Sequence, residues 1–187
     1  MRRVLACLAC GVLVLTIAAT AQMNKPKEHR TVTQILNGSV SNLENEFVPA
    51  ADAMPEDKYG FAPTSGEFKG VRTFAQQIKH VAAVNYLLGS AILQEKPPVD
   101  IGGESGPASM TSKADIMKFL KDSFAYVHKA INTIDDKNLI EPVKSPFGEG
   151  MVSRLGLAAG VSSHGFDHYG QMVEYLRMNG IVPPASR

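Results

Sequence analysis

His164 and His168 stand four residues apart in the stretch His164-Gly165-Phe166-Asp167-His168-Tyr169-Gly170-Gln171. On a helix that spacing projects both imidazoles from one face, so both can reach a single point. At about 100° per residue, His168 lies about 40° round from His164, while Leu157, Val161, Met172 and Tyr175 fall at about 20°, 60°, 80° and 20°. The pair therefore sits within an apolar stripe, where an imidazole needs a hydrogen-bond partner or a metal. His80 lies at the edge of a second stripe made by Phe74, Val81, Val84 and Leu88. Three neutral imidazoles from two neighbouring helices would form a divalent metal site with open positions for water or substrate. That is the pattern of a catalytic site rather than a closed structural one. Spacing alone does not establish that His80 faces the pair, and hydrogen-bonded core histidines remain the alternative.

The polar neighbours divide in the same way. Gln171, about 20° from His164, is placed to hydrogen-bond a ligand imidazole or a bound water, or simply to line the bundle. Asp167 falls about 60° from His164, on the side away from the stripe, where it orients a ligand or is solvated. His128 belongs to the edge of a third stripe, and His29 to a polar N-terminal stretch. Gly102, Gly103 and Gly106 surround Glu104-Ser105, but no strand precedes them and no lysine follows, so no phosphate-binding loop is indicated. Ser162-Ser163 has neither a G-x-S-x-G context nor a triad acid.

The elements that must carry these residues are helical. Val32, Ile35, Leu36, Val40, Leu43 and Phe47 share one stripe, which predicts a helix from about Thr31 to Ala53 that Pro49 should kink or shorten. A loop follows from Met54 to Pro63, whose Tyr59 and Phe61 would wall a pocket or cover the bundle end. The second helix should open near Phe68 or Val71 and end near Gln94, before Pro97-Pro98. A long loop over 99–112 then leads to a third helix, capped by Thr111 or Ser112 and reaching about Asp136. After another loop over 138–150, the fourth helix should start between Met151 and Ser153 and run to Asn179, with Gly180 at its end. No segment alternates well enough to predict a strand. Four long amphipathic helices give an all-α four-helix bundle over residues 31–184.

Composition narrows the chemistry further. Met1-Arg2-Arg3, an apolar run from Val4 to Ala19 and the small-x-small pattern Ala19-Thr20-Ala21 predict a signal peptide over 1–21, cleaved before Gln22. The apolar run is shorter than the roughly 20 residues a retained anchor needs, so no stable membrane anchor is expected after cleavage. Removing 21 of the 187 residues leaves 166, enough for one domain. Residues 22–30 are a polar stretch ahead of it. Both cysteines, Cys7 and Cys10, lie in the removed segment, so thiolate nucleophiles, thiolate ligands and disulfides are all excluded from the mature chain. Losing Arg2 and Arg3 takes 19 basic residues to 17 against 18 acids, and the formal charge from +1 to −1. That balance does not favour nucleic acid as a partner. The protein is expected to be exported, to the periplasm or beyond.

With the residues in place, a family resemblance becomes visible. His164-x-x-x-His168-Tyr169-Gly170-Gln171 resembles the H-x-x-x-H-R-G-Q signature of the DinB-like superfamily. The segment Gln77 to Asn85 around His80 is similar to that family's second-helix segment, and Met54 to Pro63 to the stretch its members carry between helices one and two. The resemblance runs from about Thr31 to Pro183. It implies an up-down-down-up bundle in which His80, His164 and His168 hold a divalent ion, commonly nickel or zinc. Tyr169 departs from the pattern, since arginine usually follows the second histidine; a role for Tyr169 beside the ligands, and any substrate carried over from relatives, is therefore open. Members of the family are described as metal-dependent hydrolases, which makes a small molecule the expected substrate. A second branch uses the metal to activate a low-molecular-weight thiol for S-transfer, and export argues against it, because such thiols are kept chiefly in the cytosol. A bundle that binds metal or ligand without catalysis is the remaining alternative. Relatives of this fold often form dimers, so a homodimer is also open.

Overall fold

In the computed structural model, residues 29–187 are described, and the predicted signal peptide over 1–21 lies outside them, as does most of the polar stretch over 22–30. His29 is exposed. Four helices carry the fold: α1 (Val32–Ala53), α2 (Phe74–Leu93), α3 (Lys113–Ile131) and α4 (Arg154–Met178). Each begins where a hydroxyl can cap it. Thr31 and Thr73 form capping boxes with Gln34 and Gln76, while Ser112 and Ser153 accept from Asp115 N and Gly156 N. The Thr73 box sets the start of α2 later than Phe68 or Val71, because residues 63–72 form an irregular approach to it.

Helix directions follow from the side chains that meet. Asn85 and Ser90 of α2 reach Ser123 and Tyr126 of α3, so residue numbers rise together and the two helices are parallel. Ser39 and Leu43 of α1 lie against Ser162 and Gly165 of α4, again in parallel. Across the other two contacts the numbers run oppositely: Gln77 meets Gln171 while Ile92 O accepts from Arg154, and Thr33 meets Ile134 while Phe47 meets Phe124. The bundle is therefore up-down-down-up. Parallel α2 and α3 need a connection that returns along the bundle, and the long loop over 94–112 is that strap. It is held on α2 by Lys79, whose Nζ donates to Pro107 O at 3.0 Å and Met110 O at 3.2 Å.

The core is filled by fully buried Leu43, Phe47, Phe74, Ile78, Phe124 and Met172, among others. At about 25 cal/mol per Å² of apolar surface, such side chains dominate the bundle's stability. Tyr59 and Phe61 cover the bundle end, Tyr59 stacking edge-on to Phe74 at 5.6 Å and donating to Ala51 O, Phe61 packing edge-on to Tyr175 at 5.7 Å.

Three further features differ from the sequence expectation. Pro49 does not end α1, which runs on to Ala53 because Phe47, Ala50 and Ala51 are all buried against the bundle and outweigh the hydrogen bond lost at proline. Helix α3 stops at Ile131 rather than Asp136, and Asn132 N closes its last turn onto His128 O. The segment that the sequence predicts as loop and helix start contains a small antiparallel hairpin, β1 (Pro142–Lys144) with β2 (Met151–Ser153), pairing Val143 with Val152. Three residues per strand are too few for an alternation to register in the sequence. Among the described residues, no helix is long and apolar enough to cross a membrane.

Candidate metal centre

His80 comes from the second turn of α2, and His164 and His168 from successive turns of α4, the antiparallel neighbour of α2. Gly165 lets α4 approach α1 closely: a Cβ there would lie 2.2 Å from Leu43 Cδ2 and 3.1 Å from Leu43 Cγ. Gly165 lies about 100° round α4 from His164, on the side that meets Leu43 of α1.

The three rings converge. Their centroids are 4.9 Å (His80–His164), 4.7 Å (His80–His168) and 4.5 Å (His164–His168) apart. One ring nitrogen from each can be chosen so that all three lie within 4.8 Å of one another. His164 Nε2 is 3.0 Å from His80 Nε2. Two nitrogens bound to one zinc ion at about 2.1 Å would be about 3.0–3.4 Å apart for ligand angles between 90° and tetrahedral. The observed pair fits that separation.

Which nitrogens are free is fixed by the partners of the others. His80 Nδ1 lies 2.5 Å from Glu104 O on the strap. A carbonyl only accepts, so Nδ1 carries the proton and Nε2 keeps its lone pair. The strap reaches that position because Gly102 and Gly106 take positive φ (+61° and +76°). A Cβ on Gly106 would stand 2.6 Å from Lys79 Cβ. His168 is oriented by a longer relay. Asp167 Oδ2 accepts from Gln171 Nε2 (3.2 Å), Gln171 Oε1 accepts from Gln77 Nε2 (2.8 Å), and Gln77 Oε1 faces His168 Nδ1 at 2.6 Å. The carboxylate cannot donate, so it sets the direction of both amides, and His168 Nδ1 is the final donor. Its Nε2 is therefore unprotonated as well. His164 Nδ1 is buried without a hydrogen-bond partner among the described residues. All three histidines are held neutral: burial pushes His80 below the usual histidine value, and burial followed by the neighbouring imidazoles brings His164 and His168 down to about 4. Three neutral imidazoles, of which His80 and His168 have Nε2 unprotonated, converging on one point are the donor set of a nitrogen-ligated divalent ion, and the site fits one.

The centre opens onto a cavity of about 630 Å³. Arg72, Ser163, Asp167 and Gln171 give it polar walls, and Val84, Leu88 and Phe147 an apolar one. Asp167 is exposed and Gln171 half-buried, both on the cavity side. Tyr169 is elsewhere: it is directed towards Glu46 of α1 and packs edge-on to Phe166 at 6.2 Å. It lines none of this cavity. His128 also lies apart, between α3 and α1, with Nδ1 2.6 Å from Asn37 Oδ1 and Nε2 3.2 Å from Glu44 Oε2. Ser162 is turned towards Ser39, leaving only Ser163 at the cavity.

Three contributors escaped the sequence. Gln77 is a buried polar residue one turn before His80, about 60° round the same helix, and that position was its only signal. Glu104 acts through its main-chain oxygen, which no side-chain pattern reveals. Arg72 precedes the α2 cap and belongs to no periodic stripe.

Comparisons with known proteins bear on the fold and the family. Solved structures similar to this chain include a DinB-like protein from Bacillus cereus, with TM-score 0.67 and 15% identity, covering 84% of this chain and 98% of that one. A conserved protein from Enterococcus faecalis matches with TM-score 0.62 and 16% identity over 80% and 98%. At these identities the likeness establishes the fold. No curated protein matches the chain. The family model described as the DinB superfamily matches residues 41–172, a span that covers most of the chain and includes all three histidines. The chain belongs to the DinB superfamily.

Proposed function

We propose that this protein is an exported, metal-dependent hydrolase of a small molecule, with a divalent ion held by His80, His164 and His168. The observation that carries this reading is the pair of fixed tautomers: Glu104 O and the Gln77 relay each hold an Nδ1 proton away from the centre, leaving Nε2 free beside the cavity. An imidazole donor set suits nickel or zinc. Such an ion supplies Lewis acidity and lowers the pKa of a water it holds towards about 7.

The protein's own residues supply the rest. The histidines bind and stay neutral, and Gln77 with Gln171 fixes the orientation of His168. Asp167 lines the cavity with one oxygen on Gln171, which leaves the other to accept a proton from a reacting group. The apolar wall of Val84, Leu88 and Phe147 takes the body of the substrate. Export is supported by the basic start, apolar run and Ala19-Thr20-Ala21 of the sequence.

The test is to load the protein with zinc or nickel and assay ester, amide and phosphoester panels, with a parallel thiol-plus-electrophile arm. Hydrolysis that is lost in His164→Ala supports the proposal. Thiol-dependent consumption of the electrophile would make it a transferase, and stoichiometric metal without turnover a binding module.

A further inference from the structure

Cation charge at the cavity has one unmatched source. Lys79 is committed to the carbonyls of Pro107 and Met110. Arg72 lines the cavity of the three histidines and also an adjoining one of about 420 Å³ that contains Gln76 and Ser105. Its guanidinium makes no ion pair or hydrogen bond with another side chain among the described residues, whereas Arg154 is paired with Glu141. Arg72 is half-buried, and its backbone is fixed from both sides: its carbonyl accepts from Tyr175 Oη at 3.0 Å, and the next residue caps α2. A fork of five donors held on such a backbone, beside a cavity, is suited to a planar or tetrahedral oxyanion.

We propose that Arg72 is the substrate-recognition residue of this site, so that the substrate is a small molecule bearing a carboxylate or phosphate group. This rests on the hydrolase reading for the reacting end of the molecule, but not for the charged end. The oxyanion lies on Arg72 at the divide between the two cavities. The apolar body then runs along Val84, Leu88 and Phe147, which places the rest of the molecule beside His164 and His168. Asp167 on the same wall repels a second negative charge near the histidines, so the anion is steered to the Arg72 end.

The test uses three probes of similar size, 3-phenylpropanoate, phenyl phosphate and neutral 3-phenylpropanamide, titrated calorimetrically into zinc-loaded protein. Either anion should bind at least about tenfold more tightly than the amide, and the stronger of the two identifies the oxyanion. Arg72→Met should abolish that difference while metal content stays the same, and Arg72→Lys should restore part of it. Equal binding of anion and amide, or no binding of any probe, overturns the proposal. So does an unchanged anion preference in Arg72→Met, because the anion would then be held by the metal. The titrations are repeated after chelator treatment. An Arg72-dependent preference in a protein that never holds metal would sustain this assignment and defeat the hydrolase reading alone.

Discussion

Replacing Gln77 by leucine should weaken metal binding without unfolding the bundle. Gln77 is 1% exposed and accepts the Nδ1 proton of His168, itself 6% exposed. In the metal-free protein His168 can move its proton to Nε2, and the lost acceptor then costs little. Binding an ion through Nε2 forces the proton back to Nδ1, where Gln77→Leu leaves a buried donor with nothing to bond. An unsatisfied buried donor costs about 1–3 kcal/mol, and removing the partner of a ligating histidine typically costs 10–100-fold in metal affinity. Since a factor of ten is about 1.4 kcal/mol, the two figures agree. Competitive chelator titration with zinc should therefore show about a 10–100-fold loss for Gln77→Leu, alongside a metal-free thermal melt close to that of the parent protein. Gln171→Leu, which leaves the His168 acceptor in place, should lose less than about tenfold. A folded Gln77→Leu protein that binds zinc within twofold of the parent would falsify the claim that the relay fixes the ligand tautomer.

Three further outcomes follow from named contacts. Gly165→Ala places a Cβ 2.2 Å from Leu43 Cδ2; overpacking of about 1–3 kcal/mol outweighs a helix-propensity gain of about 1 kcal/mol, so urea denaturation should show a less stable protein, and equal or greater stability would disprove the close approach. Gly106→Ala clashes with Lys79 Cβ at a positive φ of 76°; by lifting Glu104 O from His80 it should reduce zinc affinity by about tenfold or more, whereas unchanged affinity would remove the strap from the site. In the metal-free protein, unfolded histidines take up protons near 6.5 while folded His164 and His168 do so only near 4. Their contribution to stability is therefore intact above 6.5 and is lost as pH falls from 6.5 towards 4. That part of the pH slope in urea unfolding should be missing from His164→Ala/His168→Ala, and a slope unchanged by the double substitution would refute the buried, neutral assignment.

What the sequence revealed was what period and residue type can encode. Four apolar stripes placed the helices, with starts close at Thr31 and at the Ser112 hydroxyl cap and an end close at Gly180, since helix termini are a local matter. His164 and His168 were legible as one face because i and i+4 are neighbours on any helix. That His80 joins them depends on α2 lying antiparallel to α4, a tertiary fact that only the family resemblance supplied beforehand. Arg72 and the Glu104 carbonyl were invisible because each acts from irregular backbone, where no periodicity constrains the side chain. The glycines at 102 and 106 were visible but not interpretable: their role is to let the strap cross Lys79. The β1–β2 hairpin was hidden by its length, and Pro49 misled because local propensity is outweighed by the burial of Phe47, Ala50 and Ala51.

The most direct test of the centre is metal analysis of the purified mature protein beside a His164→Ala/His168→Ala double variant, after equal exposure to zinc and to nickel. The parent protein should retain about one ion per chain, as expected for a single three-nitrogen site, and the double variant should retain none while still melting cooperatively. Equal metal content in the two preparations would contradict a centre at His80, His164 and His168.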